Sequence, residues 1–141
     1  MEIRNYINGQ FIDSISKKNI PVLNPANQSI VGSIDEALDE EIELAFSAAS
    51  QAFDLRILQD MDAKDKSKMM RSIASKLREY KKEGSELLSQ ENGKTIEQCA
   101  GEFDGAADVF DYYAGLTDKI EHKLIPSGNN TFNYRLLEPF G

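Results

Sequence analysis

The stretch from Glu91 to Gly115 constrains the fold more than any other part of the sequence. Within it Ile96, Cys99/Ala100, Phe103, Ala106/Ala107, Phe110 and Tyr113/Ala114 recur at alternating steps of three and four. That spacing lays one apolar stripe along an α-helix and requires a core for the stripe to face. Both ends are punctuated by residue type. Asn92-Gly93 stops what precedes, and Gly115 is able to take the left-handed conformation that finishes a helix. The long helix organises the chain, yet none of its residues has the neighbours that chemistry needs.

Ahead of it, Arg4 to Ile12 reads as two short strands joined by Asn8-Gly9, the dipeptide that best tolerates the two positive φ angles of a type I′ turn. After a polar bend, Ile20-Pro21-Val22-Leu23 and Ser29-Ile30-Val31 read as strands around an Asn24-Pro25-Ala26-Asn27 turn, making the first third a small β-meander. From Asp39 to Phe53 the period changes. Ile42, Ala45/Phe46, Ala49 and Ala52/Phe53 share a helical face behind the acidic start Asp39-Glu40-Glu41, which suits the positive helix end. Asp62 with Asp65 approximates a capping box for a second helix, whose apolar face is Met69/Met70, Ile73/Ala74, Leu77 and Tyr80. Gly84 is expected to divide that helix from a shorter third one carrying Leu87 and Leu88, because glycine costs roughly 1 kcal/mol relative to alanine inside a helix. Past Gly115, Leu124-Ile125, a turn through Pro126 to Asn130, and Phe132/Tyr134/Leu136 alternating with polar residues predict a β-hairpin arm. Several helices offer apolar faces, but no central parallel sheet receives them and the terminal arm leaves an open edge. The chain reads as part of something larger.

The balance of charge excludes some partners. With a net charge of −8 over 141 residues, the chain repels phosphate backbones and anionic lipid surfaces, so neither nucleic acid nor membrane is expected as a partner. A single cysteine forms no internal disulfide, and Met1-Glu2-Ile3-Arg4-Asn5 lacks the layout of a signal peptide, which together favour the cytoplasm. Asn27-Gln28-Ser29 and Asn129-Asn130-Thr131 match the glycosylation sequon by chance, in polar turns.

Candidate reactive residues have plainer readings. Cys99 lies on the apolar stripe with no Lys, Arg or His beside it in sequence to lower its pKa, and belongs to the core. His122 has no partners with which to build a metal site and reads as a partly exposed structural side chain. Gly93-Lys94-Thr95 resembles the end of a phosphate-binding loop, but the glycine required five positions before Gly93 is Leu88. Gly101 and Gly105 follow no strand, so close helix packing is their expected role. Glu97, Asp104, Asp108 and Asp111 fall on the face opposite the stripe and are expected to be solvated. Glu102 borders the apolar side, either as an edge residue or as a hard oxygen ligand for a cation.

Taken together and in order, several short segments resemble the N-terminal part of the aldehyde dehydrogenase superfamily. They are Tyr6-Ile7-Asn8-Gly9-Gln10-Phe11, Asn24-Pro25-Ala26, Ala45 through Phe53, Glu91-Asn92-Gly93-Lys94, Tyr112-Tyr113-Ala114-Gly115 with Asp118-Lys119, Ile125-Pro126 and Glu138-Pro139-Phe140-Gly141. The run from Tyr112 to Lys119 is similar to members acting on small aldehydes, betaine aldehyde among them. The resemblance implies an α/β fold of the Rossmann type. Residues 1–122 would be the N-terminal part of the NAD(P)-binding domain, and residues 123–141 would begin the β-arm through which such enzymes form homo-oligomers. It also implies the chemistry of the complete enzyme. A cysteine thiolate attacks an aldehyde, hydride passes to NAD or NADP, and a glutamate activates the water that releases the carboxylic acid. None of those residues matches a position in this sequence, and no cofactor-binding residue is expected in it. Alone, the chain is expected to be inactive; the alternative is a stand-alone interaction module without catalysis. Many members hold a structural K+ or Na+ on backbone carbonyls just before the Asn-Pro turn, here Val22 or Leu23, and on an acidic side chain ten residues before the Tyr-Tyr pair, here Glu102. The family usually has Asp at that place, and commonly Trp where Leu58 stands.

Overall fold

The computed structural model describes residues 2–128 and 130–140. In chain order the elements are β1 (Glu2–Ile3), β2 (Asn5–Ile7), β3 (Gln10–Ile12), β4 (Asn19–Leu23), β5 (Ile30–Asp35), α1 (Asp39–Asp54), α2 (Ala63–Glu79), α3 (Lys81–Asn92), α4 (Ile96–Ala114), β6 (Lys123–Ile125) and β7 (Asn133–Arg135). Asn129, in the turn expected between the last two strands and in the second sequon, lies outside the described residues. So do Met1 and Gly141, at the ends of two of the segments quoted above.

Helix α4 packs against both α2 and α3. Its buried line is Cys99, Ala107 and Ala114, with half-buried Phe103 and Phe110 between, and it meets Ala74 of α2 and Ser85 of α3. Small side chains dominate this seam, so the helix axes come close. Ile96 and Tyr113, on the predicted stripe, are more than half exposed. Thr95 begins α4 with a reciprocal cap: its hydroxyl accepts from the backbone N–H of Gln98, and the side-chain Oε1 of Gln98 accepts from Thr95 N–H, both at 3.3 Å.

The acids of α4 are not merely solvated. Arg78 donates to Asp108 at 2.8 Å and Asp111 at 2.7 Å, and Lys81 donates to Asp104 at 2.6 Å, while Glu97 is exposed. Asp104, Asp108 and Asp111 recur one place after Phe103, Ala107 and Phe110, so they rim the seam rather than oppose it. Solvent screens these pairs, and their effect is on helix register more than on stability.

Glycine roles differ from the sequence expectation. The α2–α3 break falls at Tyr80, and Gly84 lies inside α3. A Cβ on Gly84 would stand 2.1 Å from Phe103 Cζ, so the missing side chain is what lets the ring seat on α3. Gly101 and Gly105, expected to permit close packing, have nothing within 4 Å of a built Cβ, and nothing in the structure explains them. Gly93 behaves as expected, ending α3 at φ 74°. Gly115 does not: at φ −76° it continues right-handed, its N–H bonded to the carbonyls of Asp111 and Tyr112 and its own carbonyl taken by Lys119 Nζ at 2.8 Å.

The N-terminal strands form two sheets rather than one meander. Strands β2 and β3 pair Asn5 with Ile12 and Tyr6 with Phe11 across Asn8 (φ 51°) and Gly9 (φ 80°), the predicted turn. Separately, β4 pairs antiparallel with β5 while β1 pairs parallel with it, giving the order β1-β5-β4. Two-residue β1 carries no periodicity from which a parallel partner could be read. Asp62 caps α2 by accepting Lys64 N–H at 2.8 Å, but Asp65 takes Lys68 Nζ at 2.8 Å instead of closing the box. The terminal arm forms as expected, β6 against β7 with Leu124 opposite Tyr134, and every residue of both strands is exposed.

Gly84→Ala is predicted to destabilise the chain by about 1–3 kcal/mol through overpacking, opposite in sign to the usual gain from removing a helical glycine. Urea unfolding of Gly84→Ala and Gly84→Ala/Phe103→Leu checks this. The double variant should recover most of the loss, and a stabilised single variant would refute the packing role.

Candidate functional site

The resemblance points to the corner where β4 ends and α4 begins. Val22 and Leu23 lie at the end of β4, where the pairing with β5 slips: Val22 faces Gly32, but Leu23 faces Ile30. Such a slip is a β-bulge-like irregularity in the register. Asn24 then closes the turn, accepting Gln28 N–H on its carbonyl at 2.7 Å and Ala26 N–H on Oδ1 at 2.9 Å. Pro25 leans on the α3–α4 connection so closely that a Cβ on Gly93 would sit 2.7 Å from Pro25 Cγ. The strand end and the connection thus share one corner.

Glu102 is on the exposed flank of α4, and its carboxylate accepts from Lys94 Nζ at 2.6 Å. Lys94 is pinned at the backbone as well, its carbonyl accepting from Ser89 Oγ at 2.7 Å. The hydrogen bond to Glu102, with its charge, raises the Lys94 pKa above the usual lysine value. Both side chains are about half exposed. Among the described residues no group of three or more His, Cys, Asp or Glu comes together that would hold a metal. In the sequence Lys94 reads as part of a failed phosphate loop and of the Glu91-Asn92-Gly93-Lys94 segment, and a pair spanning a helix start leaves no periodic signal.

Other candidates stay apart. Cys99 is fully buried in the α4 seam. His122 is exposed and accepts Leu137 N–H on Nδ1 at 3.2 Å, a structural bond that ties the segment after β7 to the chain leaving α4. An open cleft of about 1060 Å³ lies beside it, lined by Phe53, Ile57, Leu58, Ile120, Leu136 and Leu137 among others. Leu58 is 56% exposed on its wall. Apolar side chains make up most of its walls, with Arg56, Lys66, His122 and Glu138 also on them, and a surface of that kind suits burial.

Glu41 has a role beyond the acidic helix start read from the sequence. It was expected only to complement the start of α1, but it is 1% exposed. Its Oε2 accepts Leu38 N–H at 2.9 Å, and Asn5 Nδ2 and Ser14 Oγ approach the carboxylate at 3.4 Å each. One carboxylate thereby joins the β2–β3 hairpin, the bend after it and the start of α1. The Leu38 amide, aided by Asn5, Ile15 and Ser14, holds its pKa below the ordinary carboxylate value despite the opposing effect of burial. A glutamate three residues after the helix boundary is a capping signal; that the cap would be buried is a tertiary outcome.

The profile of the aldehyde dehydrogenase family matches residues 11–141, and the chain belongs to that family. It is 34% identical to aminoaldehyde dehydrogenase 1, peroxisomal, of Pisum sativum over 143 residues, covering 96% of this chain and 28% of that protein. With benzaldehyde dehydrogenase, mitochondrial, of Antirrhinum majus it shares 35% identity over 136 residues, 96% of this chain and 26% of the relative. Among solved structures, betaine aldehyde dehydrogenase from Staphylococcus aureus in complex with NAD+ superposes with a TM-score of 0.84 at 32% identity, over 90% of this chain and 25% of that one. A mutant aldehyde dehydrogenase from Bacillus cereus gives a TM-score of 0.86 at 29% identity, over 95% and 28%. The chain spans about a quarter of the length of the relatives it matches, in their N-terminal part. Its strands and four helices correspond to an N-terminal portion of the Rossmann-type aldehyde dehydrogenase fold, as the resemblance implied.

The Glu41 pKa shift gives a signed prediction. Between its lowered folded value and the ordinary carboxylate value only the unfolded chain binds the proton, so stability rises with pH through that window. The contribution is complete above the ordinary value and is lost as pH falls through the folded one. Urea midpoints measured across about pH 3 to 6 should show a shallower acid loss for Glu41→Gln than for the parent. Identical acid slopes would contradict the assignment.

Proposed function

We propose that this chain serves as the N-terminal portion of an NAD(P)-dependent aldehyde dehydrogenase, which oxidises an aldehyde to a carboxylic acid. Residues 1–122 would belong to the nucleotide-binding domain, residues 123–141 would begin the arm of a homo-oligomer, and the cytoplasm would be the site of action. The observation that carries the reading is the amount of apolar surface left open. The accessible surface is 11037 Å², against about 7,300 Å² expected for a compact monomer of this mass. Phe46, Leu55, Ile30 and Phe132 are each more than two-thirds exposed, and nearly all of the predicted apolar face of α1 is open. Open faces on regular elements are what a portion of a larger fold presents before its sheet and partner strands cover it.

The division of labour follows from the residues. Catalysis needs a thiolate, a general base and a cofactor cradle, and among the described residues Cys99 is sealed in the seam while His122 is engaged by Leu137. What these residues supply is shape: a braced helical layer, an anchored hairpin and an arm. NAD+ accompanies the Staphylococcus aureus neighbour, and a nicotinamide cofactor is the one proposed for the complete enzyme here.

A chimera tests the reading. The N-terminal quarter of the Staphylococcus aureus betaine aldehyde dehydrogenase is replaced by this chain, and aldehyde-dependent NADH formation is followed at constant enzyme. The chimera should fold and turn over betaine aldehyde, whereas the purified 141-residue chain should produce no NADH above the blank. Activity from the isolated chain, or a folded, NAD+-binding chimera without turnover, would overturn it.

A further inference from the structure

Glu102, the one carboxylate offered to a monovalent cation, already faces a cation of the protein's own. Gly93 ends α3 in the left-handed conformation, Thr95 caps α4, and Lys94 stands between two fixed points with its carbonyl held by Ser89. From there its side chain runs along the first turns of α4 and closes on Glu102 at 2.6 Å. Glutamate in place of the family's usual aspartate extends the carboxylate by one C–C bond, about 1.5 Å, toward that ammonium. Pro25 seats the end of β4 against the same connection. An inorganic ion entering here would have to displace an ammonium that is already in hydrogen-bond contact with the carboxylate and belongs to a residue whose backbone carbonyl is itself held by Ser89. The residues present do not fit an added cation.

We propose that Lys94 Nζ takes the place at Glu102 that K+ or Na+ holds in many members of the family, so that this protein holds its β4–α4 corner together without an inorganic ion. The inference uses the family reading only to say where an ion would sit. Its test uses the 141-residue chain itself, so a failed chimera leaves it standing.

The test is thermal melting, followed by far-ultraviolet circular dichroism, in NaCl, KCl and choline chloride at equal ionic strength. The parent chain should melt at the same temperature in all three. Lys94→Ala frees the carboxylate and should melt higher in NaCl or KCl than in choline chloride, and Lys94→Ala/Glu102→Gln should lose that preference. Glu102→Asp, which retains Lys94 and the charge but withdraws the carboxylate, is the second variant and should also acquire the preference. Stabilisation of the parent by NaCl or KCl over choline chloride would overturn the proposal, as would indifference of both Lys94→Ala and Glu102→Asp to the choice of cation.

Discussion

Helix α4 approaches α2 and α3 closely, and the remaining elements are placed by that packing. The approach is made possible by small residues: Ala74, Ser85, Cys99, Ala107 and Ala114 are buried, and Gly84 leaves room for the Phe103 ring. Dispersion is strongest where backbones approach without voids, so a seam of small side chains and one seated ring gives the helices a defined register. Arg78 and Lys81 then bind the three acids along its rim. With α4 fixed at that angle, its capped start brings Lys94 beside Glu102 and sets Gly93 under Pro25, which couples the helical layer to the β4–β5 sheet.

A second, smaller junction lies at the other end of the chain. Glu41 is buried because three segments need an acceptor at the same point: the amide of Leu38, the side chain of Asn5 and the hydroxyl of Ser14. A charged group survives there because donors surround it, which is the condition under which burial of a carboxylate is tolerated. Between these two junctions, α1 exposes most of its surface and connects more than it packs.

Local features were legible in the sequence. Asn8-Gly9 set the hairpin turn, Asp62 the start of α2, Asn92-Gly93 the end of α3, and the three-four spacing the long helix, because each depends on neighbours a few residues away. Features decided by distant contacts were not. Gly84 looked like a breaker because its partner, Phe103, is nineteen positions off in sequence, while Gly101 and Gly105 looked like packing residues and face open space. Asp104, Asp108 and Asp111 looked solvated because the cations that meet them sit on other helices. The parallel β1–β5 pairing joins strands separated by the whole hairpin. The family was legible from several short segments in order, none of them chemical; the Lys94–Glu102 pair was not, since neither residue announces the other.

The α2–α3–α4 layer is the part of this chain that holds itself together, whereas the open faces of the strands and α1 are, under the proposed function, those that other parts of an aldehyde dehydrogenase would cover. Hydrogen exchange of the isolated chain, read by mass spectrometry, measures this most directly, because protection reports where opening is costly. The slowest exchange is expected in α4 between Cys99 and Ala107, with intermediate protection in α2 and α3 and near-unprotected rates in β6 and β7. Uniform strong protection that includes the terminal arm would contradict it, by marking a self-contained module. So would an α4 that exchanges as fast as the arm.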